Sequence, residues 1–335
     1  MARYITRRLL WLIVVVFFVS LITFGLAHAV PGGPFDAEKK LPAAILKNLE
    51  AKYNLDAPIW KQYVDYVADI TVPRVISGQP SDSLLDNYLI NIPLGESFTF
   101  QWMNFGPSFV NRARTVNDIF RDNLPISFEL GVYSLLVAIV IGLPLGVLAA
   151  LKQNTLWDYS GMAVAIFGVS VPVIVLGPFL IWIFAVELGW FLPTGWGTWQ
   201  QNVLPSIALG TGSSAIIARL TRASLLQVVR EDYIRTARAK GLMERVIIIR
   251  HALRNSMIPV VTILGPLFAA LVTGTFVTET IFGIPGMGRF FVTSITNRDY
   301  PVIVGTILLY AVVLVLANLL VDIIYAWLDP RIRYT

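Results

Sequence analysis

Residues 218–259 read ARLTRASLLQVVREDYIRTARAKGLMERVIIIRHALRNSMIP, and their reading decides the architecture. The stretch lies between two apolar runs. It carries nine Lys/Arg (Arg219, Arg222, Arg230, Arg235, Arg238, Lys240, Arg245, Arg250 and Arg254) against three acids. In its second half Leu242, Val246, Ile249 and Leu253 recur at helical spacing, an apolar stripe on one side. Gly241 separates two helix-compatible runs, and glycine is what a chain uses where φ must turn positive. The spacing predicts helix, tight turn, helix. Such a basic hairpin lies at a membrane surface and offers its stripe to a soluble partner.

Composition bounds the class. Hydrophobic residues make up 56% of the 335-residue chain and charged residues 14%. An average globular domain carries about 25% charged residues, and mean hydropathy here is +0.68, so the chain reads as a multi-spanning membrane protein. With no cysteine there is no thiol nucleophile or thiolate metal site. His28 and His251 stand alone, without metal-ligand neighbours at helical spacing, so no metal site is expected. The pI near 9.4 does not point to nucleic acid, because the positive charge flanks apolar spans, as membrane orientation alone requires.

A hydrocarbon core of about 30 Å takes roughly 20 apolar residues per helix. Long apolar runs fall near 9–30, 127–151, 161–186, 257–279 and 302–326, with a weaker sixth near 203–219. If the sixth did not span, the nine-cation loop would lie outside, against the positive-inside rule. With six spans, the inner pieces 1–8, 152–160, 219–256 and 327–335 hold fifteen Lys/Arg against five acids. Both termini are then cytoplasmic. Arg3, Arg7 and Arg8 before an apolar run, followed by Ala27-His28-Ala29, imitate a signal peptide. The run is longer than the usual 7–15 residues, so an uncleaved first span is expected.

The chain thus divides into 1–30, a cytoplasmic tail and first span; 31–126, an extracytoplasmic segment; and 127–335, a core of five spans with the loop 219–256. The outer segment should hold amphipathic helices near 36–54 and 58–70. A turn-rich piece, PRVISGQPSDS, follows, and then loop or short strands in IPLGESFTFQWMNFG.

Within the spans, Ala138, Gly142 and Gly146 form a small-residue stripe that lets helix backbones approach closely. Ser206, Gly210 and Ser213, with their small neighbours, either pack in the same way or line a path. Pro172, Pro178, Pro259 and Pro266 predict kinks. Intramembrane acids are functional candidates by default. Glu129, Glu187 and Glu279 lie near span ends and should snorkel to water, whereas Asp322 lies deeper and should pair with a neighbouring helix. The Pro285-Gly286-Met287-Gly288 cluster has no strand before it and no Gly-Lys-Ser/Thr ending, so it is no phosphate loop.

Several segments carry a family resemblance. Asp232 to Gly241, Arg250 to Asn255 and Pro259 resemble the coupling loop of bacterial ABC importer permeases, closest to the dipeptide/oligopeptide/nickel branch (permease B type). The likeness continues through Leu55-Asp56, Pro58 and Gln62-Tyr63; Leu94 to Ser97; Leu124-Pro125 with Glu129-Leu130; Gly142 to Val147; and Ser170-Val171-Pro172. It then runs through Glu279 to Phe282, Pro285 to Gly288, Arg298 to Pro301, and Leu328 to Arg331. The stretch 71–92 fits least and reads as an insertion. With Gly241 aligned to the loop glycine, Arg235, Thr236 and Ala237 stand where broader importer families have Glu-Ala-Ala, a departure the peptide branch shares.

The resemblance implies an all-α polytopic protein with six transmembrane helices of the type I ABC importer permease fold. It implies a translocation path for di- or oligopeptides in the inner membrane and no ATPase site or cofactor in this chain. Expected partners are a second homologous permease, two cytoplasmic ATPases that use ATP, an external binding protein and the bilayer, with no nucleic acid. Arg235, Thr236, Ala237, Ala239, Gly241, Leu242, Val246 and Ile249 are the expected ATPase-coupling residues; Ser206, Gly210, Ser213 and Asp322 are candidates for path or packing. Nickel chelates or oligosaccharides are alternative cargoes. A secondary transporter would want inverted repeats and paired deep acids, and a membrane enzyme a nucleophile–base or metal constellation. Neither pattern is evident.

Overall fold

A computed structural model of the chain describes residues 2–29, 33–35, 42–77, 87–95, 97–111, 113–273 and 275–328. The structure is mostly helical and divides into two compact units. Four described helices are long and apolar enough to cross a bilayer: 5–29 within α1 (Ala2–Ala29), α4 (Val116–Leu151), α7 (Trp199–Val228) and 300–324 within α14 (Tyr300–Leu328). Two bent helix pairs bring the candidates to at most six.

One unit takes Trp11–Pro125 and Gly286–Val312. After α1 come α2 (Ala43–Lys52) and α3 (Ile59–Thr71), within the helical stretches expected there; residues 36–41 lie outside the description. Three short strands follow, β1 (Arg74–Ser77), β2 (Ile90–Leu94) and β3 (Phe98–Trp102), forming an antiparallel sheet in the order β1-β3-β2. Loop or short strands were expected in the stretch that holds β3 and the end of β2, whereas β1 falls in the turn-rich piece. Val75 and Ile92 both pair with Phe100, in one row across the sheet. Its burial is inverted: Thr99 and Gln101 are buried, whereas Phe98, Val75 and Ile92 are exposed. The unit's core gathers Phe24, Phe105, Ile119, Phe120, Val302 and Leu308. Gly305 of α14 fits there because a Cβ would stand 2.8 Å from Val116 Cγ1.

The other unit takes Met1–Leu10, Ile126–Pro285 and Val313–Thr335. The third expected span, near 161–186, is not one helix. Α5 (Leu156–Ser170) stops at Val171, and α6 (Val173–Leu180) leaves at 103°, running on as a π-helical segment, Ile181–Glu187. Pro172 is the cause: a residue before proline is driven out of the α region, and Val171 is extended at φ −88°, ψ 113°. The weaker run near 203–219 proves to be part of the 30-residue α7, which continues as helix to Val228. Being the most buried of the four long helices, α7 tolerates its small polar residues.

The seam between α4 and α7 is built on glycine. A Cβ on Gly142 would stand 2.6 Å from the Ser214 carbonyl, and one on Gly146 2.6 Å from the Ala218 carbonyl. The stripe read from the sequence is therefore a close backbone approach. Along its other side α7 packs on α5, where Arg222 grips Asp158 through Nε and Nη2, each at 2.7 Å. The fifth run is divided too. Α11 (Ile258–Thr273) meets the preceding helical stretch Glu244–Ser256 at 50°, and α12 (Phe276–Phe282) is separate.

Candidate functional site

Between α7 and α11 the chain forms the hairpin that the basic stretch predicts. Its first arm is α8 (Asp232–Ala239), which buries Ile234 and Ala237 and exposes Tyr233, Arg235, Thr236 and Ala239. Gly241 ends it at φ +74°. The Gly241 amide donates to the Arg238 carbonyl at 2.9 Å and the Leu242 amide to the Ala237 carbonyl at 3.4 Å. This is the paired pattern of a Schellman cap, which needs a left-handed residue after the helix. Glycine is required here by backbone conformation, since a Cβ at Gly241 would meet nothing within 4 Å.

The second arm, Glu244–Ser256, is π-helical over Ile247–Leu253. Its i→i+5 bonding breaks the stripe expected from 3.6-residue spacing. Ile247 and Ala252 turn inward, Val246 and Leu253 are half-buried, and Leu242 and Ile249 are exposed. The two arms share a core in which Ile234 and Ala237 meet Ile247 and Ala252, together with Leu225 and Ala150. Ala237, expected in the docking set, thus holds the hairpin together. Asn255 Nδ2 donates to the Tyr233 hydroxyl at 2.8 Å, and Arg238 forks onto Glu244 across the turn. Both Arg238 and Glu244 are largely exposed, so that pair orients the turn more than it stabilises it.

The outer surface of the hairpin is apolar at its tip. Next to the turn Met243 is 73% exposed and Leu242 42%; along the arms Ile249 and Tyr233 are also exposed, as are Arg235, Lys240, Arg245 and Arg250. Met243 and Tyr233 were missed because neither falls on the predicted stripe. Met243's place beside the glycine turn was the available signal.

The path-or-packing candidates lie elsewhere in the same unit. Ser206 is buried and donates back to the Asn202 carbonyl at 2.6 Å. Gly210 lies against α4, where a Cβ would stand 2.6 Å from the Ser134 carbonyl, and Ser213 is buried. Asp322 does pair with another helix: Arg8 Nη2 stands 2.8 Å from its Oδ2. Glu187 is exposed. Glu279 is not. It is 1% exposed and accepts from Ser127 Oγ at 2.8 Å and Thr275 Oγ1 at 2.6 Å, so hydroxyl donors replace the expected water. Glu96 and residues 329–331 of the resemblance lie outside the described residues.

The chain matches the family described as binding-protein-dependent transport system inner membrane component over residues 142–334, and that family's N-terminal companion over residues 1–131. It is 43% identical to the dipeptide transport system permease protein DppB of Bacillus subtilis, over 99% of this chain and 98% of that one. It is 40% identical to the oligopeptide transport system permease protein OppB of Salmonella typhimurium, over the full length of both. Among solved structures, a chain of the inward-facing MetNI methionine ABC transporter superposes with a TM-score of 0.53 at 20% identity, over 63% of this chain and 96% of that chain. That likeness bears on fold alone, and the fold is that of type I ABC importer permeases. From its N-terminal segment through its helical core, the chain belongs to the binding-protein-dependent transport system inner membrane components.

Proposed function

We propose that this chain is one of two homologous membrane subunits of an ATP-driven importer, that it forms part of the path for di- or oligopeptides, and that it draws its power from separate ATPases. The carrying observation is the hairpin. A Schellman turn and an internal core hold Leu242, Met243 and Ile249 outward among cations, and large exposed apolar residues clustered on a rigid element mark an interaction site. The peptide names of DppB and OppB support the cargo. In this reading there are six spans, with the two bent pairs each crossing once. Both termini and the hairpin lie in the cytoplasm, and an external binding protein delivers the peptide. The Arg8–Asp322 pair supports the placing of both termini, because it joins the start of the first span to the end of the last. Closure of the ATPases on ATP moves the hairpin as a body and reorients the spans, a rigid-body change at a packed interface.

Gly241 provides the test. A left-handed conformation costs an L residue on the order of 1–2 kcal/mol, about a 5- to 30-fold shift in an equilibrium, and asparagine tolerates it better than valine. Gly241→Val is expected to insert normally and to lose most of its co-purifying ATPase, its binding-protein-stimulated ATP hydrolysis and its peptide uptake. Gly241→Asn should keep all three. Wild-type values in the valine variant would reduce the hairpin to a solvated basic loop.

A further inference from the structure

The Arg222–Asp158 contact stands just before the hairpin and is not explained by docking. Asp158 lies in the first turn of α5 and is 2% exposed. Its Oδ1 accepts from Arg222 Nε; its Oδ2 accepts from Arg222 Nη2 at 2.7 Å and from the Asn154 amide at 3.0 Å. Both carboxylate oxygens are thus committed, one of them also to the backbone that starts α5. A fork-to-fork pair of this kind fixes relative orientation as well as distance.

What the pair joins gives it meaning. Leu225 follows Arg222 by three residues on α7, which puts the two on neighbouring sides of one helical turn. Leu225 is fully buried in the cluster that forms the hairpin's core, with Ile234, Ala237, Ile247 and Ala252. One turn of α7 therefore holds the hairpin with one side chain and α5 with another. From Asp158, α5 runs along α7, with Ala165 packed on Ala215 and Ala218, to the sharp bend at Pro172. Beyond it, Leu180 of α6 packs with Leu204 of α7 and Phe282 of α12.

We infer that Asp158 and Arg222 are positioning residues for energy coupling, a strut through which displacement of the hairpin is passed to the bent α5–α6 pair. The inference rests on the docking role proposed for the hairpin. If the pair were an ordinary fold contact, weakening it would lower the amount of intact protein and leave the work done per ATP unchanged. If it is the strut, the ATPases still dock and still hydrolyse ATP, and the stroke fails to reach α5. The decisive readout is therefore a ratio.

The experiment uses the assembled importer in proteoliposomes, with its binding protein and a labelled di- or oligopeptide. Peptide uptake and binding-protein-stimulated ATP hydrolysis are measured side by side. Wild-type complex that neither retains its ATPases nor takes up peptide on ATP would refute the proposed function itself, before any variant is made. Given a working wild type, Asp158→Asn and Arg222→Lys are expected to retain bound ATPase and to hydrolyse ATP within about twofold of normal. Uptake per ATP should fall at least tenfold. Exchanging the two charges, Asp158→Arg with Arg222→Asp, should recover part of that ratio. An unchanged ratio in both single variants overturns the inference. So does loss of assembly in both, or uptake and hydrolysis falling in equal proportion.

Discussion

Asp299 shows at the residue scale how an acid can be held in place by a distant part of the chain. It precedes α14 and accepts from Ser108 Oγ, from the Phe109 amide at 3.0 Å and from the Val110 amide at 3.4 Å. Burial raises its pKa above the ordinary carboxylate value, against the opposing pull of those donors. A folded pKa above the unfolded one gives a stabilising contribution that is complete below the ordinary value of about 3.9 and is lost as pH rises through the raised value. Asp299→Asn keeps one acceptor oxygen and turns an amide toward the remaining donors. It should cost about 1–3 kcal/mol, as an unsatisfied buried donor does. Thermal denaturation of the solubilised importer should show the wild-type advantage over this variant narrowing as pH is raised; an advantage that widens would refute the assignment. Asp299 belonged to a resembling segment, yet nothing local pointed to its partners. They lie some 190 residues earlier in the chain. Glu279, held by Ser127, was misread for the same reason.

At the scale of elements, the α4–α7 seam makes the sharpest demand. Gly142 faces the Ser214 carbonyl, Ile217 Cβ and Ile217 Cγ2 at 3.0 Å or less from a Cβ position, and backbone cannot step aside as a side-chain tip can. Gly142→Val should cost at least the 1–3 kcal/mol typical of overpacking, seen as reduced yield and melting temperature. Gly161→Ala is the control, because its nearest neighbour would be Leu145 O at 3.8 Å; a comparable loss there would mean that crowding is not the cause. The Gly142/Gly146 stripe was legible because its spacing is local and periodic. Pro172 was legible as a break but not as a 103° bend, since the angle is set by what α6 packs on. The sheet was legible only in part: short strands were one of two expectations for the stretch that holds β3 and the end of β2, and β1 was not expected. Its strands are four or five residues long, one contains Pro93, and Phe98 faces out while Thr99 faces in, which reverses the usual reading of alternation. In the hairpin, the glycine turn and the basic character could be read from sequence. The face it presents could not, because the π-helical segment Ile247–Leu253 departs from 3.6-residue spacing, burying Ile247 and Ala252 and leaving Ile249 exposed.

For the whole molecule, class and orientation rest on quantities that sum over the chain, so local surprises change them little. The chain contains no cysteine, and single cysteines can therefore be introduced without background. Labelling in intact cells should reach positions near 60 and 195 from outside, and positions near 155, 240 and 333 only after the membrane is opened. Position 240 reacting from outside would remove α7 as a span and with it the six-span reading. The Arg8–Asp322 pair carries a consequence for how the protein is made. Chains emerge N-terminal end first, so Arg8 is made early and waits while every helix between it and Asp322 is synthesised. The contact can close only after α14 has been inserted. A product truncated before that helix retains Arg8 but lacks Asp322, so the contact that joins the two ends of the chain cannot form in it.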